Sequence, residues 1–219
     1  MPVKFSDIVK MDDVEKLNQR QVFILNAMPD AWQSYATELK EAAEYLWQNE
    51  GNGMRVSANS RIAGGIDSSK TDTISRTYIL LSGFAIENLL KGLLVAQEPT
   101  LLANGTISGK LKSHKLLDIA ASITDLKLSE EEIMLCKTAQ DAIPYWGRYP
   151  VPLRFEDVHR EVAASKEYRN TFLSLHYRLG KMIHTIVRDG WDSGLGPRIS
   201  KIRSKEFGDT IDPNGSFFD

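Results

Sequence analysis

The stretch YILLSGFAIENLLKGLLVA, residues 78–96, decides the fold class of this chain. Its apolar side chains cover most of the circumference of a helix, and such a helix is buried in a core. Glu87 and Lys91 interrupt the run, which favours a core helix over a membrane span. Because they stand four residues apart, they can also form an ion pair within that helix. A buried carboxylate needs partners, and beyond Lys91 the candidates are His114 and Arg148. The group is either a clamp between helices or a polar pocket lined by Glu87.

The segments on either side of this stretch predict further helices. Helical periodicity runs from about residue 5 to about residue 49, and Pro29 separates a short helix from a longer one because proline starts helices well and continues them badly. The other predicted helices cover 73–97, the run HKLLDIAASI, a segment that ends at about 142, and 155–188 with a possible break near Ser165. Their expected N-caps are Thr71 or Asp72, then Ser113, and then Ser129 in a capping box with Glu132. No segment shows sustained apolar–polar alternation, so the fold class is all-α, an antiparallel bundle of about four long helices with short extra helices.

Other segments are not expected to be helical. Residues 50–72 are dominated by glycine, serine, asparagine and aspartate, which predicts a long loop. Residues 143–153, IPYWGRYPVPL, hold three prolines and predict a rigid non-helical connection. The chain therefore divides into an N-terminal helical arm at 1–28, a helical bundle at 29–190, and a tail at 191–219 to which no firm structure is assigned.

Composition limits the possible functions. The chain has 219 residues, a formal net charge of −2 and a pI of about 6.1, so no whole-chain attraction to nucleic acid is indicated. Cys136 is the one cysteine, which suits a reducing cytosol, and the helical pattern around it predicts a buried apolar role. The N-terminus carries charges where a signal peptide needs an apolar run. The sequence contains no zinc-ligand spacing, phosphate-binding loop or dinucleotide fingerprint. We therefore expect a cytoplasmic protein with no membrane segment, no metal and no cofactor.

The stretch YRNTFLSLHYR, residues 168–178, places an arginine and a histidine on one late helix. Arg169 and His176 stand seven residues apart, so both point the same way at a separation of about 10 Å along the axis. The pair can converge on one phosphate, with the guanidinium holding its oxygens and the imidazole acting as general base or acid. The alternative is that both residues lie at the core boundary, with their apolar parts packed and their polar ends in water.

A helical wheel divides the same helix into three faces. The face expected toward the core consists of Tyr168, Phe172, Leu175, Leu179, Met182, Ile183 and Ile186. The face expected toward water consists of Asn170, Ser174, Lys181, Thr185 and Arg188. The third strip consists of Arg169, Leu173, His176, Gly180, His184 and Val187. A mixed surface like this third strip suits a helix–helix contact such as a dimer interface.

Two further groups can carry chemistry. Arg154 and His159 stand five residues apart, and they can meet only if Arg154 lies outside the helix; the alternative is a solvated surface helix. The segment YWGRYPVP holds Tyr145, Trp146, Arg148 and Tyr149 between prolines. A rigid loop of aromatic side chains and an arginine can stack a base or grip a phosphate, and it can equally plug the end of a bundle.

Three features together resemble the HEPN superfamily of higher-eukaryote and prokaryote nucleotide-binding domains. They are AIENLLKG on one long helix, HKLLDIA on the next, and an Arg-Asn followed by a His on a late helix. That family forms a compact helical bundle whose late helix often carries an R-x4–6-H motif. Arg169, Asn170 and His176 match it with six intervening residues. Arg154 and His159 match with four, although a phenylalanine follows the arginine where a polar residue is usual.

The resemblance implies a homodimeric, metal-independent ribonuclease, of a kind found in bacterial toxin–antitoxin and antiphage systems. His176 would activate the ribose 2′-hydroxyl or protonate the leaving oxygen, Arg169 would stabilise the charged phosphorane, and Asn170 would orient the pair, although the wheel points Asn170 away from them. Other members of the family are non-catalytic modules for dimerisation or for binding a nucleotide or a protein partner. Such a module would here use Glu87, Lys91, His114, Arg148 and Tyr149.

These alternatives make different structural demands. The ribonuclease hypothesis requires Arg169 and His176 to be reachable by solvent in one cleft. Unpaired RNA is then the expected substrate, because its bases can stack on Tyr145, Trp146 or Tyr149. The binding-module hypothesis is favoured if the Arg169–His176 pair is separated or buried while Glu87 and Arg148 line a pocket. An antitoxin or another protein is a possible partner under either hypothesis.

Overall fold

The computed structural model describes residues 19–50, 54–62, 65–72, 75–102, 106–146, Glu156 and 163–193. In this part of the chain there are six α-helices: α1 (Gln19–Asn26), α2 (Pro29–Glu50), α3 (Ser75–Gln97), α4 (Leu116–Ala121), α5 (Glu130–Asp141) and α6 (Lys166–Val187). Two strands, β1 (Met54–Ile62) and β2 (Gly65–Asp72), lie between α2 and α3 in the sequence. Short 3-10 turns cover Pro99–Leu102 and Gly109–Lys112, and a π-helical turn covers Ala142–Trp146. The all-α fold class is confirmed, with this hairpin as an addition.

Helix α3 is the centre of the bundle. It packs against α2, α4, α5, α6 and the first 3-10 turn, and most of its residues are buried. Its length and its mean hydropathy of 1.7 would also suit a membrane span, but 78% of that window is buried within the protein. The buried core helix expected from residues 78–96 is therefore confirmed.

Two glycines let α2 and α5 approach α3 closely. A Cβ atom at Gly92 would lie 2.8 Å from the Cβ of Trp32 in α2. A Cβ atom at Gly83 would lie 3.0 Å from the Cβ of Ala139 in α5. Real Cβ atoms rarely come so near, so the spacing of these helices depends on the missing side chains.

The hairpin corrects one expectation. Residues 50–72 were predicted to be a long loop, and the caps Thr71 and Asp72 fall within β2 instead. The two strands pair antiparallel, with Met54 opposite Asp72 and Ile62 opposite Gly65, and an irregularity separates Ala58 from Arg61. An antiparallel hairpin needs only a tight turn between its strands and no helix-like periodicity. The polar composition that predicted a loop therefore does not exclude it.

Several helix boundaries follow the local signals. Helix α1 ends before Pro29 and α2 begins at it, as expected. Ser129 forms the predicted capping box, in which its hydroxyl accepts from the Glu132 amide and the Glu132 carboxylate accepts from the Ser129 amide. Ser165 caps α6 by accepting from the Tyr168 amide, so the possible break at Ser165 is the start of the helix.

Other boundaries differ from the expectations. Ser113 does not cap α4; its hydroxyl accepts from the Lys115 amide one residue before that helix begins. The connection expected to be non-helical from Ile143 starts with the π-helical turn, which continues α5 as far as Trp146. Pro144 lies inside that turn, where a shifted hydrogen-bonding pattern tolerates the missing N–H.

The burial of α6 is wider than the wheel predicted. The third strip was expected to form an external helix–helix contact, but His176, Gly180, His184 and Val187 are buried. This is because α6 packs against three helices, α2, α3 and α5. Conversely, Ile186 was assigned to the core and is 40% exposed. The face expected toward water is exposed throughout, including Asn170 and Lys181.

Candidate binding site at His114

Arg169 is held by a residue that the sequence did not indicate. Its guanidinium donates to Glu44 in α2, with Nε 3.0 Å from Oε1 and 3.1 Å from Oε2. The guanidinium carbon also lies 5.7 Å from the centre of the Trp47 ring, a cation–π distance. The hydrogen bonds to Glu44 raise the pKa of Arg169 above its ordinary value. Arg169 therefore joins α6 to α2 and is already paired with a carboxylate.

Tyr78 completes this connection between helices. Its hydroxyl donates to Glu44 Oε1 at 3.1 Å, and its ring packs edge-on against Phe172 with centroids 6.1 Å apart. Burial raises the pKa of Tyr78, and the neighbouring Glu44 carboxylate raises it further. The neutral phenol is thus a stable donor to the carboxylate, which supports a structural role for the whole Glu44–Arg169 connection.

His176 is enclosed in the core. Its side chain is 1% exposed, and its ring packs edge-on against Phe172 with centroids 6.0 Å apart. Arg169 reaches the surface in part, with 24% of its side chain exposed. Asn170 is exposed on the water-facing side of α6, as the wheel indicated. The structure therefore does not place Arg169, Asn170 and His176 together in one open cleft.

The other candidates fall partly or wholly outside the described residues. The backbones of Tyr145 and Trp146 lie in the π-helical turn, but their side chains are outside the described part of the molecule. Four more candidates lie wholly outside it: Arg148, Tyr149, Arg154 and His159. Their roles stay predictions from the sequence.

Glu87, Lys91 and His114 do come together. Lys91 Nζ donates to Glu87 Oε1 at 2.5 Å within α3, which confirms the expected ion pair. His114 Nδ1 lies 3.1 Å from Glu87 Oε1 and 3.0 Å from Oε2. Of the two partners proposed beyond Lys91, the structure thus shows His114, which reaches α3 from the segment that follows the second 3-10 turn.

The three side chains differ sharply in exposure. The side chains of Glu87 and Lys91 are each 7% exposed, whereas that of His114 is 53% exposed. The buried carboxylate therefore orients an imidazole that stands at the surface. With Nδ1 directed at Glu87, Nε2 is the ring nitrogen left for an incoming group.

The segment that carries His114 is rich in lysine. Lys110, Lys112 and Lys115 are exposed within six residues of the same segment. Lys110 pairs with Glu98 at 3.0 Å, whereas Glu87 is already compensated by the buried Lys91. Lys112 and Lys115 thus add two exposed positive charges next to His114 in the sequence, on a chain that is acidic overall. The spacing of the lysines in SGKLKSHK is the sequence signal that indicates this group.

Among the described residues, no three His, Cys, Asp or Glu side chains are grouped closely enough to hold a metal ion. Cys136 is buried as expected, and burial raises the pKa of its thiol to about 12. Comparison with family models, with curated proteins and with solved structures finds no match for the chain. The resemblance to the HEPN superfamily therefore stays a prediction from the sequence motifs.

Proposed function

We propose that the chain is a helical binding module that holds a phosphate-bearing ligand of the nucleotide type. Its binding site is the His114 site, defined as the buried pair Glu87 and Lys91, the imidazole of His114, and the flanking Lys112 and Lys115. The single observation that supports this proposal is the contact between the exposed His114 and the buried Glu87. A fixed, exposed imidazole with two exposed lysines next to it in the sequence favours the binding of an anion.

The buried pair explains why the site is suited to a phosphate rather than to a cation. Glu87 alone would make the site acidic, but Lys91 compensates its charge at 2.5 Å. The carboxylate can then fix the His114 ring without repelling an anion that approaches Nε2. A phosphate oxygen can accept from Nε2–H when the ring is protonated, and from either lysine. Phosphate groups thus match both the charge and the donors of the site.

Calorimetric titration with ADP at low ionic strength tests this proposal, with adenosine as the ligand that lacks phosphates. We expect His114→Ala to weaken ADP binding by roughly 10- to 100-fold, because a hydrogen bond to a charged group contributes about 1.5–3 kcal/mol. Lys112→Ala combined with Lys115→Ala should also weaken binding and reduce its dependence on salt. Lys137→Ala, on the exposed side of α5, is the matched control.

Two results of these titrations would contradict the proposal. Equal affinity for ADP in the His114→Ala and Lys137→Ala variants would overturn the proposed site. Equal affinity of the unmodified protein for ADP and adenosine would show that the phosphates are not recognised. Circular dichroism of each variant checks that the helices persist.

A metal-independent ribonuclease is the second candidate, and the orientation of the His114 ring favours placing its chemistry at the His114 site. His114 Nε2 would accept the proton of a ribose 2′-hydroxyl. The 2′-oxygen would bond to phosphorus, and the 5′-oxygen would leave with a proton from a neighbouring ammonium group or water. A ribonuclease that uses Arg169 and His176 would first have to expose the buried imidazole and to compete with Glu44 for the guanidinium.

Cleavage of single-stranded RNA in EDTA distinguishes these versions. Activity that is lost in His114→Ala and kept in Arg169→Lys supports the His114 site as the catalytic one. Activity that is lost in His176→Ala and in Arg169→Lys, in folded variants, supports the pair on α6. No cleavage by the unmodified protein leaves the binding module as the proposed function.

The remaining proposals depend on the family resemblance. They are a homodimer, a protein partner such as an antitoxin, and a cytoplasmic role in bacterial defence. The strip of α6 that suggested a dimer contact is used within the chain, because His176, Gly180 and Val187 are buried there. A homodimer would therefore be formed through another surface. Light scattering at two protein concentrations tests it.

A further inference from the structure

A groove of about 420 Å³ lies between α6, the end of α3 and the loop that joins α4 to α5. It is separate from the His114 site in its residues, which are Gln97, Thr124, Asp125, Arg178, Lys181, Met182, Thr185 and Ile186. Met182 and Ile186 form its apolar floor, and Ile186 is one of the few large apolar side chains of the described region that is 40% exposed or more. Ile186 was predicted to face the core, and it lines this groove instead.

The loop wall of the groove is fixed. The Gln97 side chain donates to the Thr124 carbonyl at 3.1 Å and accepts from the Thr124 amide at 2.9 Å. The next residue, Asp125, adopts a left-handed backbone conformation with φ of 63°. Because this geometry is held by the Gln97 amide, a ligand in the groove does not have to order the loop.

The α6 wall of the groove is basic. Arg178 Nη2 donates to Glu132 Oε2 at 2.6 Å, which fixes the guanidinium at the rim while part of its donor set still points elsewhere. Lys181 is exposed one turn further along α6. Asp125 is the acidic group of the facing wall. An occupant with carboxylates along one side and large apolar groups along the other would match this arrangement.

We propose that the occupant is a segment of this same chain, EFGDTIDPNGSFFD, residues 206–219. This segment lies outside the described residues, and it contains no lysine or arginine. Its acidic residues are Glu206, Asp209, Asp212 and Asp219, and its large apolar residues are Phe207, Ile211, Phe217 and Phe218. In this contact, phenylalanine rings cover Met182 and Ile186 while carboxylates face Lys181 and Arg178.

The position of the segment in the sequence makes this contact attainable. Arg178 lies nine residues before the end of α6 at Val187, which is about 14 Å along the helix. The residues between 193 and 206 can span about 40 Å when extended. Such a short tether gives an effective concentration in the millimolar range, so that even a weak contact would be occupied. A methionine sulfur beside an aromatic ring adds a further favourable contact.

A spin label tests the contact in the full chain. Ser216→Cys introduces a labelling site, while Cys136 is buried and its pKa is raised to about 12, so it should react slowly. We expect a nitroxide at position 216 to broaden the methyl NMR signals of Met182 and Ile186. The signal of Met134, which is 63% exposed on α5, should keep its intensity and serves as the internal control.

Substitutions of charged and of apolar residues then test which side chains make the contact. Lys181→Glu should restore most of the lost Met182 and Ile186 intensity, whereas Lys137→Glu on α5 should not. Phe217→Ser together with Phe218→Ser should restore it as well. Unchanged Met182 and Ile186 signals in the labelled protein would overturn the proposal. The proposal would also be overturned if the broadening occurred only between different molecules, in a mixture of spin-labelled protein and unlabelled, isotope-enriched protein. That result would assign the groove to a second copy of the chain.

Discussion

Glu87 is the residue on which the proposed site depends. Its carboxylate holds Lys91 and His114, and both charged side chains of the ion pair are nearly inaccessible to water. Removal of one partner of a buried pair leaves an uncompensated charge in the core, which costs more than the pair itself contributes. The same residue therefore governs both the stability of α3 and the orientation of the exposed imidazole.

A first prediction concerns this pair. Glu87→Ala should lower the free energy of unfolding by about 3–5 kcal/mol, because it leaves the Lys91 ammonium buried without its carboxylate. The double variant Glu87→Leu with Lys91→Leu should lose much less, since it removes both charges. Urea unfolding measures both values. A double variant that is less stable than Glu87→Ala would contradict this account.

A second prediction concerns Arg169. Arg169→Ala should cost about 1–3 kcal/mol, because it leaves the Glu44 carboxylate with the Tyr78 hydroxyl but without its charged partner. Lys110→Ala is the comparison, since it removes an exposed ion pair with Glu98 and should change stability by about 0–1 kcal/mol. Thermal unfolding gives the order of the two effects. If Arg169→Ala is the milder change, the connection of α2 to α6 is not structural.

For single residues, the sequence predicts a contact only when the two partners lie close together in the sequence. The ion pair of Glu87 and Lys91 follows from a four-residue spacing, and His114 was one of two candidates for the third position. Glu44 lies 125 residues before Arg169, and no spacing rule connects them. The burial of His176 was missed because a wheel gives the direction of a side chain and not the number of helices that cover it.

Among the elements, the contact of α3 with α2 depends on a missing side chain. Gly92→Ala should lower the free energy of unfolding by about 1–3 kcal/mol, because overpacking outweighs the gain of about 1 kcal/mol in helix propensity. The new Cβ atom would lie 2.8 Å from the Cβ of Trp32. Gly109→Ala is the matched control, since nothing lies within 4 Å of its would-be Cβ atom. Equal stability of the two variants in urea would refute the close contact.

The start of α2 gives a pH-dependent prediction. Burial raises the pKa of the Asp30 carboxyl above 3.8, and His184 in α6 lowers it by less. The folded chain then binds this proton more readily than the unfolded chain does, so Asp30 costs stability once the pH rises above its folded pKa. Asp30→Asn should therefore be more stable than the unmodified protein at pH 7. The difference should vanish as Asp30 becomes protonated in acid, and denaturation at several pH values checks the sign.

The sequence predicted some helix boundaries correctly, but it did not predict the hairpin or the π-helical turn. Proline at position 29 and the capping box at Ser129 gave their helix boundaries, because these signals act within one turn. The hairpin was missed because residues 50–72 lack the alternating, β-branched pattern by which a strand is recognised in a sequence. The π-helical turn was missed because prolines normally end a helix, whereas here one is accommodated by a shifted hydrogen-bonding pattern.

For the whole molecule, α3 explains how one chain holds two separate surfaces. Its middle carries the buried pair beneath His114, and its C-terminal end supplies the Gln97 clamp beside the groove on α6. A helix enclosed by α2, α4, α5 and α6 keeps both sets of side chains in fixed positions. Helical periodicity predicted the all-α fold, whereas the net charge of −2 did not indicate the exposed Lys112 and Lys115 beside His114 in the sequence.

The most direct test of the His114 site is an NMR titration of the imidazole C–H signals with ADP. The chain has four histidines, and His114→Ala identifies the relevant signal. We expect the His114 signal to shift and saturate with ADP, to stay in place with adenosine, and to return when salt is added. An ADP-saturable shift confined to other histidines, or no shift in any of them, would contradict the central claim that His114 binds a phosphate-bearing ligand.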